Sequence, residues 1–174
     1  DVYKRQPFFK QNASCRAVYQ YAKEHLPQYS KVLLAMRWGS QMPENSHSLA
    51  YDADFFKKFD LMLQKLSSEK QSVYLMIDNP NLSYNGLRAY ILSYRIPGFS
   101  QNLAIDETVT SKGNERIKEL AEKYASVHII DATAYIPENF KINGLPVYSD
   151  RDHINPYGGR ELAKRFSEKH TLLQ

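Results

Sequence analysis

Apolar residues along the chain occur either at helical spacing or in short continuous runs. Helical spacing predicts amphipathic helices, the first of them ended by Pro27, at Ser14–Leu26, Phe55–Leu66, Ile117–Tyr124 and Leu162–Phe166. The continuous runs predict buried strands at Val32–Met36, Val73–Ile77 and Val127–Ile130. Buried strands separated by helices are typical of a parallel sheet covered on both faces. The pattern therefore predicts an α/β fold, a three-layer α/β/α sandwich with a parallel sheet and right-handed connections, and favours a single domain.

Ligand sites of such folds lie outside the carboxyl ends of the parallel strands. The segments that follow the predicted strands are Arg37–Ala50, Asp78–Ser111, Asp131–Ser149 and the junction from Asp150 into the last helix. The segment Asp78–Ser111 is long and lacks strong periodicity, yet it is rich in leucine, isoleucine and tyrosine. Long loops of compact domains are usually functional or disordered. We expect this segment to be a partly helical, packed insertion, because its apolar and aromatic content argues against disorder.

The junction before the last helix carries a carboxylate and an imidazole three residues apart, Asp150 and His153. Asn155 is a good N-cap and Pro156 suits the first helical position, so the helix is predicted to begin directly after His153. On a tight turn, such a carboxylate can accept a hydrogen bond from one ring nitrogen, and the other nitrogen can then deprotonate a nucleophile. This is the acid–base half of a Ser-His-Asp triad, whereas a solvated turn with a helix-capping carboxylate is the alternative interpretation.

Composition narrows the choice of function. Apolar residues make up 43% of the chain and charged residues 24%, as in an ordinary globular domain, and the formal net charge is only +4. Charges alternate in sign along the helices, as in Lys57-Lys58-Phe59-Asp60, so no basic stripe for nucleic acid is predicted. The histidines outside the junction lack metal-ligand spacing and Cys15 is the only cysteine, so neither a metal nor a cofactor is predicted. No apolar run approaches the ~20 residues that cross a bilayer.

Three stretches of the sequence resemble one enzyme family. Tyr148-Ser149-Asp150-Arg151-Asp152-His153-Ile154-Asn155 is similar to the last sequence block of the SGNH (GDSL-like) hydrolases. More narrowly, this string resembles one in SGNH domains fused to membrane acyltransferases that O-acylate bacterial surface glycans. In that subfamily, the run Val32–Trp38 matches a strand that ends in Arg-Trp, and Val73–Pro80 matches the next strand and the proline after it. The resemblance implies the flavodoxin-like sandwich of that family.

The resemblance also assigns roles to individual residues. It makes His153 the general base and Asp150 the carboxylate that orients it. Asp152 is the rival carboxylate, and we rank it second because its side chain has to fold back to reach the neighbouring ring. Arg37 and Trp38 occupy the strand end where the wider superfamily keeps an oxyanion-binding Asn, so they are candidates for binding the oxyanion or substrate, with a structural role as the alternative.

The nucleophile of the family lies in a Gly-Asp-Ser block on the first strand, and this chain contains no such block. Asp1 to Gln6 match the in-frame translation of a common transposase-derived sequencing adaptor. We therefore expect residues 1–6 to be an adaptor scar and residues 7–174 to be a partial SGNH domain whose nucleophile strand lies upstream. Ser40 is a rival nucleophile, although it lacks the flanking glycine of a nucleophile elbow. Cys15 is expected to be either a buried thiol or, as the resemblance implies, one partner of a periplasmic disulfide.

The implied function is transfer of an acetyl group to a bacterial cell-envelope polysaccharide through a serine ester. The implied partners are a glycan acceptor and an acyl donor supplied by a fused or partner membrane acyltransferase, with no nucleic acid. The implied location is a periplasmic or extracytoplasmic domain of a membrane protein. One alternative is a stand-alone carbohydrate esterase, in which water instead of a sugar hydroxyl attacks the serine ester. The other is a non-catalytic glycan-binding module.

Overall fold

The computed structural model describes residues 20–21, 24–47, 51–70, 72–99, 103–106 and 110–170. Within these residues the helices are α1 (Phe55–Glu69), α2 (Gly86–Arg95), α3 (Ser111–Ala121) and α4 (Pro156–Ser167). The strands are β1 (Lys31–Ala35), β2 (Ser72–Met76), β3 (Asn81–Leu82), β4 (Ile105–Asp106), β5 (Val127–Ile130), β6 (Lys141–Ile142) and β7 (Leu145–Pro146). Most of the helix predicted at Ser14–Leu26 lies outside the described residues, and so does Cys15. Positions 20, 21, 24 and 25 are helical and lead into a 3-10 turn, Leu26–Gln28.

The chain divides into two compact units. The described residues of Asp1–Asp78 and Lys112–Ile130 form the first unit, and those of Asn79–Ser111 and Asp131–Gln174 form the second. The sequence shows no linker, and each unit is built from two separate stretches of the chain.

The first unit contains a parallel sheet in the order β1-β2-β5. The register places Val32 beside Val73, and Val73 beside Val127. Because side chains alternate across a strand, these positions and Leu75 share one face of the sheet. That face is buried in a core completed by α1 and α3, whose buried members are Phe55, Phe59, Leu63, Leu66, Ile117, Leu120 and Ala121. The predicted α/β fold with a parallel sheet is confirmed, and the strand at Val127–Ile130 has the predicted bounds.

The opposite face of this sheet is more open. Leu33, Tyr74 and His128 are neighbours in the register on that face. The side chain of Leu33 is 55% exposed and His128 is exposed, while Tyr74 is half-buried with its ring 5.5 Å from the imidazole. Continuous apolar sequence predicted burial of both faces, and Leu33 departs from that expectation.

A glycine lets α3 approach the turn that follows β1. A Cβ atom added at Gly113 would lie 2.5 Å from the amide nitrogen of Gly39 and 2.7 Å from the carbonyl carbon of Trp38. Since real Cβ atoms do not approach backbone so closely, only glycine fits at this position. The close approach brings the next residue of the helix, Asn114, to the carboxyl end of β2, where it hydrogen-bonds the backbone of Asp78.

The second unit has its own core, made by Leu82, Phe140, Ile142, Val147, Tyr148 and Leu162. Two short antiparallel ladders, β3 with β4 and β6 with β7, flank it. The segment Asp78–Ser111 contains α2, in line with the predicted helical content, together with β3 and β4, which were not predicted. The hairpin between β6 and β7 turns at Asn143 and Gly144, which both have positive φ angles, as tight hairpins require.

Candidate active site

The Asp-x-x-His sequence forms a tight turn in the second unit, immediately before α4. The turn is closed at its base by an antiparallel bridge between Tyr148 and Ile154 and by a hydrogen bond from the Ser149 amide to the His153 carbonyl, 2.8 Å. Asn155 caps α4, with its side-chain oxygen accepting from the Gly158 amide at 2.7 Å. The predicted start of the helix at Pro156 is confirmed.

Asp150 and His153 are in direct contact on this turn. His153 Nδ1 lies 2.9 Å from Asp150 Oδ2. The other oxygen, Asp150 Oδ1, accepts hydrogen bonds from the amides of Asp152 and His153 at 2.9 and 2.8 Å. The His153 side chain is 72% exposed, so the imidazole is held by its partner and still reaches solvent.

The Asp152 carboxylate also reaches the imidazole. Its Oδ1 atom lies 3.0 Å from His153 Nδ1, although the two residues are adjacent in sequence. Asp152 is the more buried of the two carboxylates, with its side chain 21% exposed against 41% for Asp150. The distances to His153 Nδ1 therefore do not decide which of the two carboxylates orients the imidazole. The two amide hydrogen bonds to Asp150 distinguish it as the residue that also shapes the turn.

These amides set the charge on Asp150. The amide of Asp152, followed by that of His153, holds the pKa of the Asp150 carboxyl well below its ordinary value, and the His153 side chain adds to the effect. The lowered pKa keeps Asp150 ionised at neutral pH. A carboxylate fixed in this way favours the tautomer of His153 that carries its proton on Nδ1 and stabilises the imidazolium.

Hydrogen bonds from other parts of the second unit hold the turn from behind. The Gly86 amide, at the start of α2, donates to the Asp150 carbonyl at 2.9 Å, and Asn79 Nδ2 donates to the Asp152 carbonyl at 2.8 Å. Arg151 Nε donates to the Leu82 carbonyl at 2.9 Å, and the Leu82 amide donates back to the Arg151 carbonyl. Sequence reasoning missed these supports because they join residues about 70 positions apart, a separation that no local pattern encodes.

Trp38 belongs to the core of the first unit. The side chain is 0% exposed, its Nε1 donates to the Met76 carbonyl at 2.7 Å, and its ring lies 5.1 Å from that of Phe59. A fully buried indole with a satisfied N–H favours the structural role of Trp38, the alternative interpretation, over contact with substrate or an oxyanion. Arg37 is exposed at the start of the 3-10 turn Trp38–Gln41 and lies near Asp78.

Asp78 is a partly buried carboxylate that was not predicted from the sequence. Its Oδ2 atom accepts from the Gly39 amide at 3.1 Å, and its backbone pairs with the Asn114 side chain. Burial raises the pKa of Asp78 to about 6, against the opposing effects of the Gly39 amide and the nearby Arg37. An aspartate directly after a buried strand was the available signal, because that position lies at the carboxyl edge of the sheet.

Ser40 lies in the same 3-10 turn. Its hydroxyl donates to the Arg37 carbonyl at 2.7 Å and accepts from the Gln41 side chain at 3.3 Å. Both partners are in its own turn, and neither is a base that could activate it. This arrangement gives the rival nucleophile a local structural role.

The carboxylates and the imidazole of the Asp150 turn also form a group whose ligand atoms could hold a metal ion. These atoms of Asp150, Asp152 and His153 lie within 4.8 Å of one another, and this is the group of that kind among the described residues. The contacts within the turn explain this grouping without a metal ion, because both carboxylates lie at hydrogen-bonding distance from His153 Nδ1.

A comparison with protein families identifies the family of this chain. The model of the family described as "SGNH domain (fused to AT3 domains)" matches residues 1–168. Among solved structures, the fold is similar to the periplasmic domain of a lipopolysaccharide acetyltransferase from Salmonella ser. Paratyphi A, with a TM-score of 0.61 and 12% sequence identity. A search of curated proteins gives no match.

The structural match covers 89% of this chain and 62% of the Salmonella domain. The chain thus spans less than two thirds of that domain's length. Within the described residues, no helix combines the length and the apolar character needed to cross a bilayer.

Proposed function

The chain belongs to the SGNH family, as the kind of SGNH domain that is fused to AT3 domains, and from this premise we propose that it transfers an acetyl group to a bacterial cell-envelope polysaccharide. The observation that carries the proposal is the Asp150–His153 contact on an exposed turn at the start of α4. The similar fold of an acetyltransferase periplasmic domain supports the choice of acyl group and compartment. We assign the chain to the periplasmic side of a bacterial membrane protein.

The proposed acyl transfer requires a serine nucleophile. We place this serine outside the 174 residues of the chain, because the sequence has no Gly-Asp-Ser block. The serine oxygen attacks the carbonyl carbon of the acyl donor while His153 takes the hydroxyl proton. The bond from that carbon to the donor's leaving group then breaks, and the imidazolium returns the proton to the leaving group. Asp150 stabilises the imidazolium between these two transfers.

A sugar hydroxyl completes the reaction. Its oxygen attacks the serine ester, His153 accepts its proton, and the proton passes to the serine oxygen as the acylated sugar leaves. The donor is presented by a fused or partner membrane acyltransferase. Arg37, which is exposed in the first unit, stays a candidate for the oxyanion- or substrate-binding role that the family resemblance implies.

The test is replacement of His153 in the full-length protein, expressed in a strain that makes the acceptor polysaccharide. We expect His153→Ala to lower the rate of acetylation by about 10²- to 10⁴-fold, because the proton acceptor is lost. The melting temperature should stay unchanged, since the side chain is largely exposed. Acetyl content of the polysaccharide is measured by proton NMR.

His128→Ala is the matched control, because His128 is also an exposed histidine but lies on β5 in the first unit. Acetylation should be normal in this variant. Undiminished acetylation by His153→Ala would contradict the proposal. Release of free acetate without acetylation of the polysaccharide would also contradict it, because that result is expected of an esterase.

A further inference from the structure

A cavity of about 540 Å³ lies within the second unit, between α2 and the segment 138–148. Its volume falls in the range of sites that hold drug-sized ligands, about 300–1,000 Å³. The side chains that line it and bear on its chemistry are Tyr90, Ser93, Glu138, Asn139, Phe140 and Lys141. His153 is not among the residues that line the cavity.

The lining combines aromatic surface with balanced charge. Lys141 Nζ stands 5.6 Å from the centre of the Tyr90 ring, and the Tyr90 ring lies 4.9 Å from that of Tyr94. Glu138 contributes one negative charge and Lys141 one positive charge. This balance favours a neutral ligand with many hydroxyl groups over an anion or a purely apolar chain. Sugars fit these features, because their C–H faces pack on aromatic rings and their hydroxyls pair with charged and amide groups.

One wall of the cavity is held in an unusual backbone conformation. Phe140 has a φ angle of 55°, a left-handed region that an aromatic residue rarely adopts. Hydrogen bonds from its amide to the Pro137 carbonyl, 2.8 Å, and from the Val147 amide to its carbonyl, 2.9 Å, fix this conformation. The ring packs edge-on against Tyr148, with centroids 6.1 Å apart. Such conformations persist where the surrounding structure enforces them, and they cluster at functional sites.

The cavity adjoins the Asp150 turn. Gly86 and Tyr148 both line it, the Gly86 amide donates to the Asp150 carbonyl, and Tyr148 lies two residues before Asp150. A polymer with one sugar in the cavity would therefore keep its neighbouring sugars close to His153. Such tethering raises the effective concentration of the attacking hydroxyl.

We propose that this cavity binds a sugar unit of a neutral polysaccharide, with the Tyr90 ring against the sugar face and with Lys141 and Glu138 bonded to its hydroxyls. In identifying this polysaccharide with the acceptor we rely on the proposed function, whereas the binding itself does not depend on catalysis. The observation that supports this proposal is that Tyr90, Lys141 and Phe140 line the same cavity.

The test measures binding in the His153→Ala background of the full-length protein. The probe is the envelope polysaccharide of the strain that carries the gene, deacetylated with mild base and cut to short oligosaccharides. We expect Tyr90→Ala to raise the dissociation constant about tenfold, because an aromatic contact is lost, and Tyr90→Phe to bind like the parent. Lys141→Met should weaken binding while preserving the aliphatic stem. Titration calorimetry gives the constants.

Ile91→Ala is the control, since Ile91 is exposed on the same helix and does not line the cavity. Its affinity should match the parent, and circular dichroism checks the fold of each variant. Equal affinities of the parent, Tyr90→Ala and Lys141→Met would overturn the assignment, as would failure of every oligosaccharide to bind. Binding that depends on Tyr90 in a protein whose native form transfers no acetyl group would retain the cavity and reject the proposed function.

Discussion

Asp150 shows that one side chain can serve both the fold and the chemistry. One oxygen receives the two amides that shape the turn, and the other contacts the imidazole. The Asp-x-x-His spacing predicted the second contact. The reach of Asp152 could not be predicted, because the curl of the turn that brings both carboxylates around His153 Nδ1 depends on hydrogen bonds from residues distant in sequence.

Replacing each carboxylate by its amide separates the two roles. Asp150→Asn should lower kcat by about 10³- to 10⁴-fold, because an amide facing Nδ1 favours the wrong tautomer of His153, as in serine proteases. Asp152→Asn should lower kcat less than about tenfold, because Asp150 retains its contact. Steady-state kinetics of the full-length protein measure both. Equal losses would assign Asp152 a full share in orienting the imidazole.

Asp78 provides a pH-dependent effect that the only tryptophan can report. Its folded pKa of about 6 exceeds the ordinary value of 3.8, so the stability falls as the pH rises from about 4 to about 6, and the cost of its charge is absent below about pH 4. Asp78→Asn should therefore raise the free energy of unfolding by about 1–2 kcal/mol above pH 6 and leave it unchanged below pH 4. Trp38 emission followed against denaturant and pH gives these values, because the Trp38–Gly39 turn receives this carboxylate.

Asp60 is the matched carboxylate with the opposite expectation. Although burial acts against it, hydrogen bonds from Lys123 and Tyr124 lower the pKa of Asp60. Its stabilising effect is present above the unfolded pKa and is lost as the pH falls, so Asp60→Asn should destabilise the protein at neutral pH. If Asp78→Asn also destabilises there, the Asp78 charge is needed by Arg37 or the Gly39 amide.

At the scale of elements, the long apolar segments were the predictable part. The sequence predicts both ends of β5 correctly. It also predicts the start of α4 at Pro156, because the N-cap Asn155 and the proline are local signals that do not depend on tertiary contacts. The ladders of β3 with β4 and β6 with β7 were not predictable, since two-residue strands show no alternation. α2 was expected only as helical content, because its exposed apolar residues blur the amphipathic pattern.

Two adjacent glycines of α4 give an element-level test. A Cβ at Gly158 would lie 2.4 Å from the Val147 carbonyl oxygen and 2.8 Å from its Cγ1 atom, whereas a Cβ at Gly159 meets nothing within 4 Å. Gly158→Ala should therefore destabilise the protein by about 1–3 kcal/mol through overpacking. Gly159→Ala should stabilise it by about 0.5–1 kcal/mol through helix propensity. Chemical denaturation measures both, and stabilisation by both would contradict the close contact of α4 with Val147.

At the scale of the whole molecule, the buried residues that the structure describes form two hydrophobic clusters. The apolar face of β1, β2 and β5 belongs to one, and Leu82, Val147 and Tyr148 belong to the other. The sequence does not signal this division, because hydrophobic spacing shows which residues are buried and not which of them are buried together.

The chain leaves the first unit at Asp78 and at Ile130, each time just past the carboxyl end of a parallel strand, and re-enters it once at Lys112. Each unit is consequently encoded by two separated stretches of the gene. A deletion series from either end cannot isolate one of them, since stopping after Ile130 still leaves Asn79–Ser111 without the residues that complete its core. Mapping a minimal active region will require internal excision between matched points rather than progressive truncation.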